Sequence, residues 1–226
     1  MRVIAGAARG RQLIGPSSAV TRPTSDRAKA ALFSMLESLL AARRPGRPVE
    51  GAGPGNPELW GGLTVLDLYA GTGALGIEAL SRGAAWCDFV ERDATARRVI
   101  AQNLAITGFR ARARVFGMDA LRFVTGSVEP ARHAPYGVVV MDPPYRDPSV
   151  REVIEALATR GLVMPYGLVA VEHAHGADPG EISQDLARIR VRRHGDTVLT
   201  IYRRMPVGDA GEMIHHDHDG GISGDV

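Results

Sequence analysis

Between Leu63 and Glu172, short apolar runs rich in β-branched residues alternate with segments of helical spacing. Strands separated by helices cannot pair through tight turns, so they line up parallel, with the helices covering the sheet. The spacing predicts strands over 64–69, 86–90, 112–116, 136–141 and 167–172, and helices over 73–82, 94–107, 120–125 and 150–160. Two further runs, 188–194 and 197–203, flank Gly195-Asp196 and read as an antiparallel hairpin closing an α/β sheet.

Before this unit come two short strand candidates, 2–5 and 11–14, joined by a Gly6-to-Gly10 turn. A helix follows on the spacing Ala28, Leu32, Met35, Leu36, Leu39, with Thr24 or Ser25 placed to cap it. The organisation expected is an N-terminal hairpin and helix over 1–44, a flexible Pro/Gly-rich connection over 45–62, the main domain over 63–205, and a disordered tail over 206–226.

No apolar run approaches the roughly 20 residues of a membrane helix, and the N-terminus lacks a signal-peptide pattern. Cys87 is the only cysteine, so a disulfide framework is excluded; a cytoplasmic protein is expected, and nothing demands more than a monomer. Cys87 lies mid-strand and reads as a core thiol; His173 and His175 read as loop residues. The His215, His216 and His218 run reads as solvated tail, and no metal site is expected. The formal net charge is only +2, but Arg2, Arg9, Arg11, Arg22, Arg27, Lys29, Arg43, Arg44 and Arg47 face only Asp26 and Glu37 locally. Such clustering is an electrostatic footprint for nucleic-acid phosphate, with Arg2, Arg9, Arg11, Arg22 and Arg27 as the candidate contacts.

Two motifs carry chemistry. In the first, Asp67 and Tyr69 end a strand, and Gly71-x-Gly73-x-x-Gly76 opens the next helix, as a loop that approaches a cofactor closely. Dinucleotide-binding enzymes share this spacing. Asp67 would repel a pyrophosphate but favour the ammonium of a methionine moiety, which points to S-adenosylmethionine rather than NAD. Glu91, 20 residues beyond Gly71, is placed to accept from both ribose hydroxyls or, alternatively, to pair with Arg92 or Arg97. Asp119 can accept from the adenine amine, cap the helix that follows it, or both.

The second motif is Asp142-Pro143-Pro144-Tyr145, directly after an apolar strand. The Asp142 carboxylate and the Pro143 carbonyl can accept both N–H groups of a base amine, localising the lone pair that attacks a methyl group. Orientation of that kind contributes roughly 7–11 kcal/mol in favourable cases. Tyr145 can stack on the base for roughly 1–3 kcal/mol, and a base inside a duplex must first be flipped out. The competing reading makes Asp142 a turn initiator and Tyr145 loop packing.

With Arg2-Val-Ile-Ala-Gly6, Arg9-Gly-Arg11 and Arg22-Pro-Thr-Ser-Asp-Arg27 added to these motifs, the chain from Arg2 to about Arg204 resembles the bacterial RsmD-type family of 16S ribosomal RNA guanine-N2 methyltransferases. The resemblance implies a Rossmann-like class I S-adenosylmethionine-dependent methyltransferase sheet, with a C-terminal hairpin and an N-terminal RNA-binding extension. It also implies a guanine of 16S rRNA, within an assembling small subunit, as acceptor. A DNA adenine-N6 methyltransferase and a non-catalytic RNA-binding or assembly protein of the same fold are the alternatives.

Overall fold

In the computed structural model, residues 1–15, 26–42, 56–126, 133–144, 147–183, 185–195 and 197–206 are described. Seven strands form one sheet: β1 (Thr64–Leu68), β2 (Trp86–Val90), β3 (Ala113–Phe116), β4 (Tyr136–Met141), β5 (Val163–Ala174), β6 (Leu186–His194) and β7 (Thr197–Arg204). Their order is β3-β2-β1-β4-β5-β7-β6; the first five are parallel, and β7 runs antiparallel to both β5 and β6. The chain therefore builds outward from β1 to β3, then returns to place β4 on the other side of β1. That reversal opens a crevice between the C-terminal ends of β1 and β4.

Two apolar layers flank the sheet. Helices α1 (Asp26–Ala41), α2 (Ala74–Arg82) and α3 (Ala94–Thr107) pack on the face of Val65, Phe89, Val140, Ala170, Leu199 and Ile201. On the other face, α4 (Ala120–Thr125) and α5 (Val150–Thr159) cover Leu66, Val139, Val171 and Tyr202. β1 and β4 are buried on both sides, as their unbroken apolar runs require. Cys87 is buried in the first layer, as expected.

The structure differs from the sequence reading at several points. The expected N-terminal strands reduce to one antiparallel bridge, Arg2 with Gln12, around the turn at Gly6 to Gly10. The expected connection is folded at its end, where Pro57–Leu59 forms a 3-10 turn; Trp60 is fully buried, donating from Nε1 to Glu37 Oε1 at 3.1 Å. His173 is a buried strand residue whose Nε2 lies 2.8 Å from Thr200 Oγ1, not a loop residue. Thr24, Ser25 and residues 43–55 and 207–226 lie outside the described residues.

Lys29 is the largest departure. It is fully buried, with Nζ 3.4 Å from Glu78 and donating to the Arg2 carbonyl at 2.6 Å. Burial lowers its pKa, with Glu78 opposing the shift. Glu78 also receives Arg82 Nε at 2.9 Å and the backbone N–H groups of Ile4 (2.8 Å) and Ala5 (3.0 Å); Arg82 Nη1 reaches Glu37 at 2.7 Å. This internal charge network fastens the N-terminal extension to α2. Ser81 adds three bonds: its Oγ donates to the Ala5 carbonyl at 2.5 Å and accepts from Ala8 N–H at 3.0 Å, and its carbonyl accepts from Ala7 N–H at 2.7 Å.

Candidate active site

Parallel strands carry their chain-end loops to one edge, and Asp67, Tyr69, Glu91, Asp119 and Asp142 all stand there, at the ends of β1 to β4. The glycine loop is held from both sides. Asp67, buried, accepts from Gly76 N–H at 2.8 Å, and Glu91 accepts from Gly71 N–H at 2.8 Å and from Asp93 N–H at 2.8 Å. Glu91 is thus a loop-holding carboxylate and forms no side-chain ion pair with Arg92 or Arg97; Arg97 donates instead to the backbone carbonyls of residues 91 and 92. Gly73 takes φ +78° as the cap of α2, and a Cβ at Gly76 would sit 2.4 Å from Phe89 and 2.6 Å from Cys87. The third glycine therefore lets α2 pack directly on β2.

The Asp67 carboxyl is raised well above the usual range by burial, opposed by the Gly76 N–H and reinforced by the charges of Asp142 and Glu91. Three carboxylates thus share one electrostatic field, which favours a cationic ligand and opposes a phosphate. Asp119 caps α4, accepting from Leu121 N–H at 2.9 Å and Arg122 N–H at 3.4 Å, so the capping role is established. Tyr69 sits at φ +60°, an arrangement costing about 1–3 kcal/mol for a residue with a side chain. Burial pushes its hydroxyl pKa up to about 12, and the hydroxyl lies 3.5 Å from Ser149 Oγ, across the crevice from β1 to the loop after β4.

Asp142 is half-buried and Pro143 buried; Tyr145 lies outside the described residues. Asp147 holds that loop by accepting from Ser149 N–H at 2.9 Å and Ser149 Oγ at 2.6 Å. Sequence reasoning missed Ser149 and Asp147, and also Asn103. Asn103 is fully buried; its Nδ2 donates to the Thr72 carbonyl of the glycine loop (2.9 Å) and to the Ile14 carbonyl (3.1 Å), while Oδ1 accepts from Ile14 N–H (2.8 Å). Its place on the buried stripe of Val99, Ile100 and Leu104 was the available signal.

The N-terminal cations divide. Arg9, Arg11 and Arg27 are exposed, Arg2 is exposed but 3.6 Å from Asp26, and Arg22 lies outside the described residues. Among the described residues no cluster of three or more His, Cys, Asp or Glu groups could hold a metal, and no helix is long and apolar enough to cross a membrane.

The strand order and the crevice at its reversal define a Rossmann-like class I methyltransferase fold. A solved Escherichia coli protein described as "Putative methyltransferase yhhF" superposes with a TM-score of 0.71 at 29% identity, covering 91% of this chain and 98% of that one. The chain belongs to the family described as Conserved hypothetical protein 95, the RsmD family, whose model matches residues 1–203. Curated relatives include "Putative rRNA methyltransferase YlbH" of Bacillus subtilis, 31% identical over 90% of this chain and 99% of its own length. "Ribosomal RNA small subunit methyltransferase D" of Escherichia coli is 29% identical over 93% of both chains.

Proposed function

We propose that this protein transfers a methyl group from S-adenosylmethionine to the exocyclic N2 of a guanine in 16S rRNA of the small ribosomal subunit. The observation that carries the reading is the row of carboxylates at the ends of β1 to β4, on both sides of the topological reversal, with the Asp142-Pro143 pair next to the glycine loop. The names of the full-length relatives supply the RNA class.

The residues fit the donor. Gly71 leaves open space, with only the Tyr69 carbonyl 4.0 Å from where a Cβ would stand, and the surrounding acids suit a ligand bearing an ammonium and a sulfonium. Asp67 faces the ammonium, Glu91 the ribose hydroxyls and Asp119 the adenine amine, each using acceptor capacity beyond the backbone bonds already described. When bound, the donor supplies an activated methyl group. Asp142 and the Pro143 carbonyl accept the two amine N–H groups, turning the lone pair of N2 toward the transfer line. No base strong enough to ionise the amine is needed, because the nitrogen becomes acidic as its new bond forms. Asp142 orients the amine and then receives the proton. Tyr145 stacks on the flipped base, and Arg9, Arg11, Arg27 and Arg22 hold phosphates.

The test is Asp142→Ala. A hydrogen bond to a charged group is worth about 1.5–3 kcal/mol, so kcat should fall roughly 10- to 150-fold while donor affinity by calorimetry stays within a few-fold. Loss of donor binding equal to the loss of turnover would make Asp142 a structural residue.

A further inference from the structure

β6 is one of the two edge strands of the sheet, and it carries a run of arginines. Arg188 is tied down, with Nη1 3.1 Å from Asp178 and Nη2 2.7 Å from Glu181. Beyond it Arg190, Val191, Arg192 and Arg193 are all exposed, and no ion pair engages Arg190 or Arg192 among the described residues. Arg190 stands opposite Ile201 and Arg192 opposite Leu199. Since directly opposed residues share a face, both arginines lie on the side of the sheet that carries α1, α2 and α3.

β6 is antiparallel to β7, which is antiparallel to β5, so β6 runs in the direction of β1 to β5. Its C-terminal end, with Arg192 and Arg193, therefore comes to the same edge as Asp142. The sheet order sets β6 three strand spacings from β4, about 14 Å. Arg190 and Arg192 are two residues apart, about 7 Å along the strand, a step on the scale of consecutive phosphates in an extended RNA strand. On the opposite side of the crevice, exposed Arg9 and Arg11 sit in the extension bound to α2.

We infer that Arg190 and Arg192 on edge strand β6 form a second RNA-phosphate surface, gripping the strand a few nucleotides from the methylated base, across the crevice from Arg9 and Arg11 of the N-terminal turn. The inference rests on the RNA reading given above. An RNA strand whose target base enters the crevice runs on past β5 and β7 to these guanidinium groups. Charge complementarity selects nucleic acid, because the one exposed apolar side chain between them, Val191, offers too little area for a protein partner. Arginines on an edge strand can also serve simply to discourage edge-to-edge pairing, and the two roles separate experimentally.

The experiment compares wild type with Arg190→Gln/Arg192→Gln, using small ribosomal subunits from cells lacking the gene and a salt titration of binding. Arg188→Gln is the control, since that guanidinium is already satisfied by two carboxylates. The double variant should raise KM for subunits about tenfold and reduce the slope of log affinity against log salt by about 1.4, the value for two phosphate contacts on a single strand. The kcat at saturating subunits, donor affinity and the Arg188→Gln slope should be unchanged. An unaltered slope and KM, with wild type still binding and methylating subunits, would overturn this surface alone. So would a variant that self-associates while its monomer binds RNA normally. A wild-type protein that neither binds nor methylates subunits would overturn the RNA reading along with it.

Discussion

Replacing Gly6 by Ala should detach the N-terminal extension from the methyltransferase sheet. Gly6 has φ +81°, and a Cβ built there lies 1.8 Å from the Ser81 carbonyl oxygen and 2.2 Å from its carbonyl carbon. Neither atom can yield, because Ser81 is part of α2, every residue of which is buried. The left-handed backbone alone costs about 1–2 kcal/mol. Relieving the overlap also breaks the three hydrogen bonds that Ser81 makes to Ala5, Ala7 and Ala8, at about 1 kcal/mol each. The expected loss is about 4–5 kcal/mol, which for a domain of this size lowers Tm by roughly 8–20 °C. Gly10→Ala is the matched control, since Gly10 has φ +82° but nothing within 4 Å of its Cβ position, so only the backbone cost applies. Thermal melts of both variants, with limited proteolysis of the N-terminus, measure the difference. Equal melting temperatures for Gly6→Ala and Gly10→Ala would refute the claim that close docking on Ser81 holds the extension.

Glu78→Gln should destabilise the protein by about 3–5 kcal/mol, because it strands the buried Lys29 cation. Burial already lowers the Lys29 pKa, and a lowered lysine contributes stability that is present at high pH and lost as pH falls through the folded value. Melts of the variant should therefore recover as pH rises toward the ordinary lysine value; a pH-independent deficit would contradict this. Asp67→Asn should be neutral or stabilising at pH 7. Asp67 has a raised folded pKa, so its contribution is full below the ordinary carboxylate pKa and lost as pH rises through the raised value, while Asn retains an acceptor for Gly76 N–H. The same variant should bind the donor more weakly by calorimetry, and unchanged affinity would remove Asp67 from the cofactor contacts.

How far the sequence was readable depended on how local the cause of each feature was. β2, α3, α4 and β4 have the expected limits because alternating apolar runs and helical spacing are local properties, bounded here by glycine, aspartate and proline caps. β5 begins four residues before its expected start. Pro165 and Gly167 interrupt its pattern, and the strand tolerates them through a register shift opposite Tyr136 and Val138 and a positive φ at Tyr166. Trp60 was obscured by the prolines and glycines around it, although its ring packs 5.5 Å from Phe33. By its charge Lys29 counts with the N-terminal basic cluster, yet it lies one turn before Leu32 and Phe33 on the buried stripe of α1. Its partner Glu78 is far away in sequence, so local pattern could not reveal the pair. At the site, the motifs located the carboxylates, but only the fold shows that Asp67 and Glu91 brace the glycine loop through Gly76 and Gly71.

The most direct measurement of the central claim mixes the purified protein with isotopically labelled S-adenosylmethionine and small subunits from cells lacking the gene, followed by nucleoside mass spectrometry of the RNA. The account predicts labelled N2-methylguanosine at a single 16S rRNA position, greatly reduced with Asp142→Ala. Unlabelled subunits, with label in N6-methyladenine of control DNA, would contradict it.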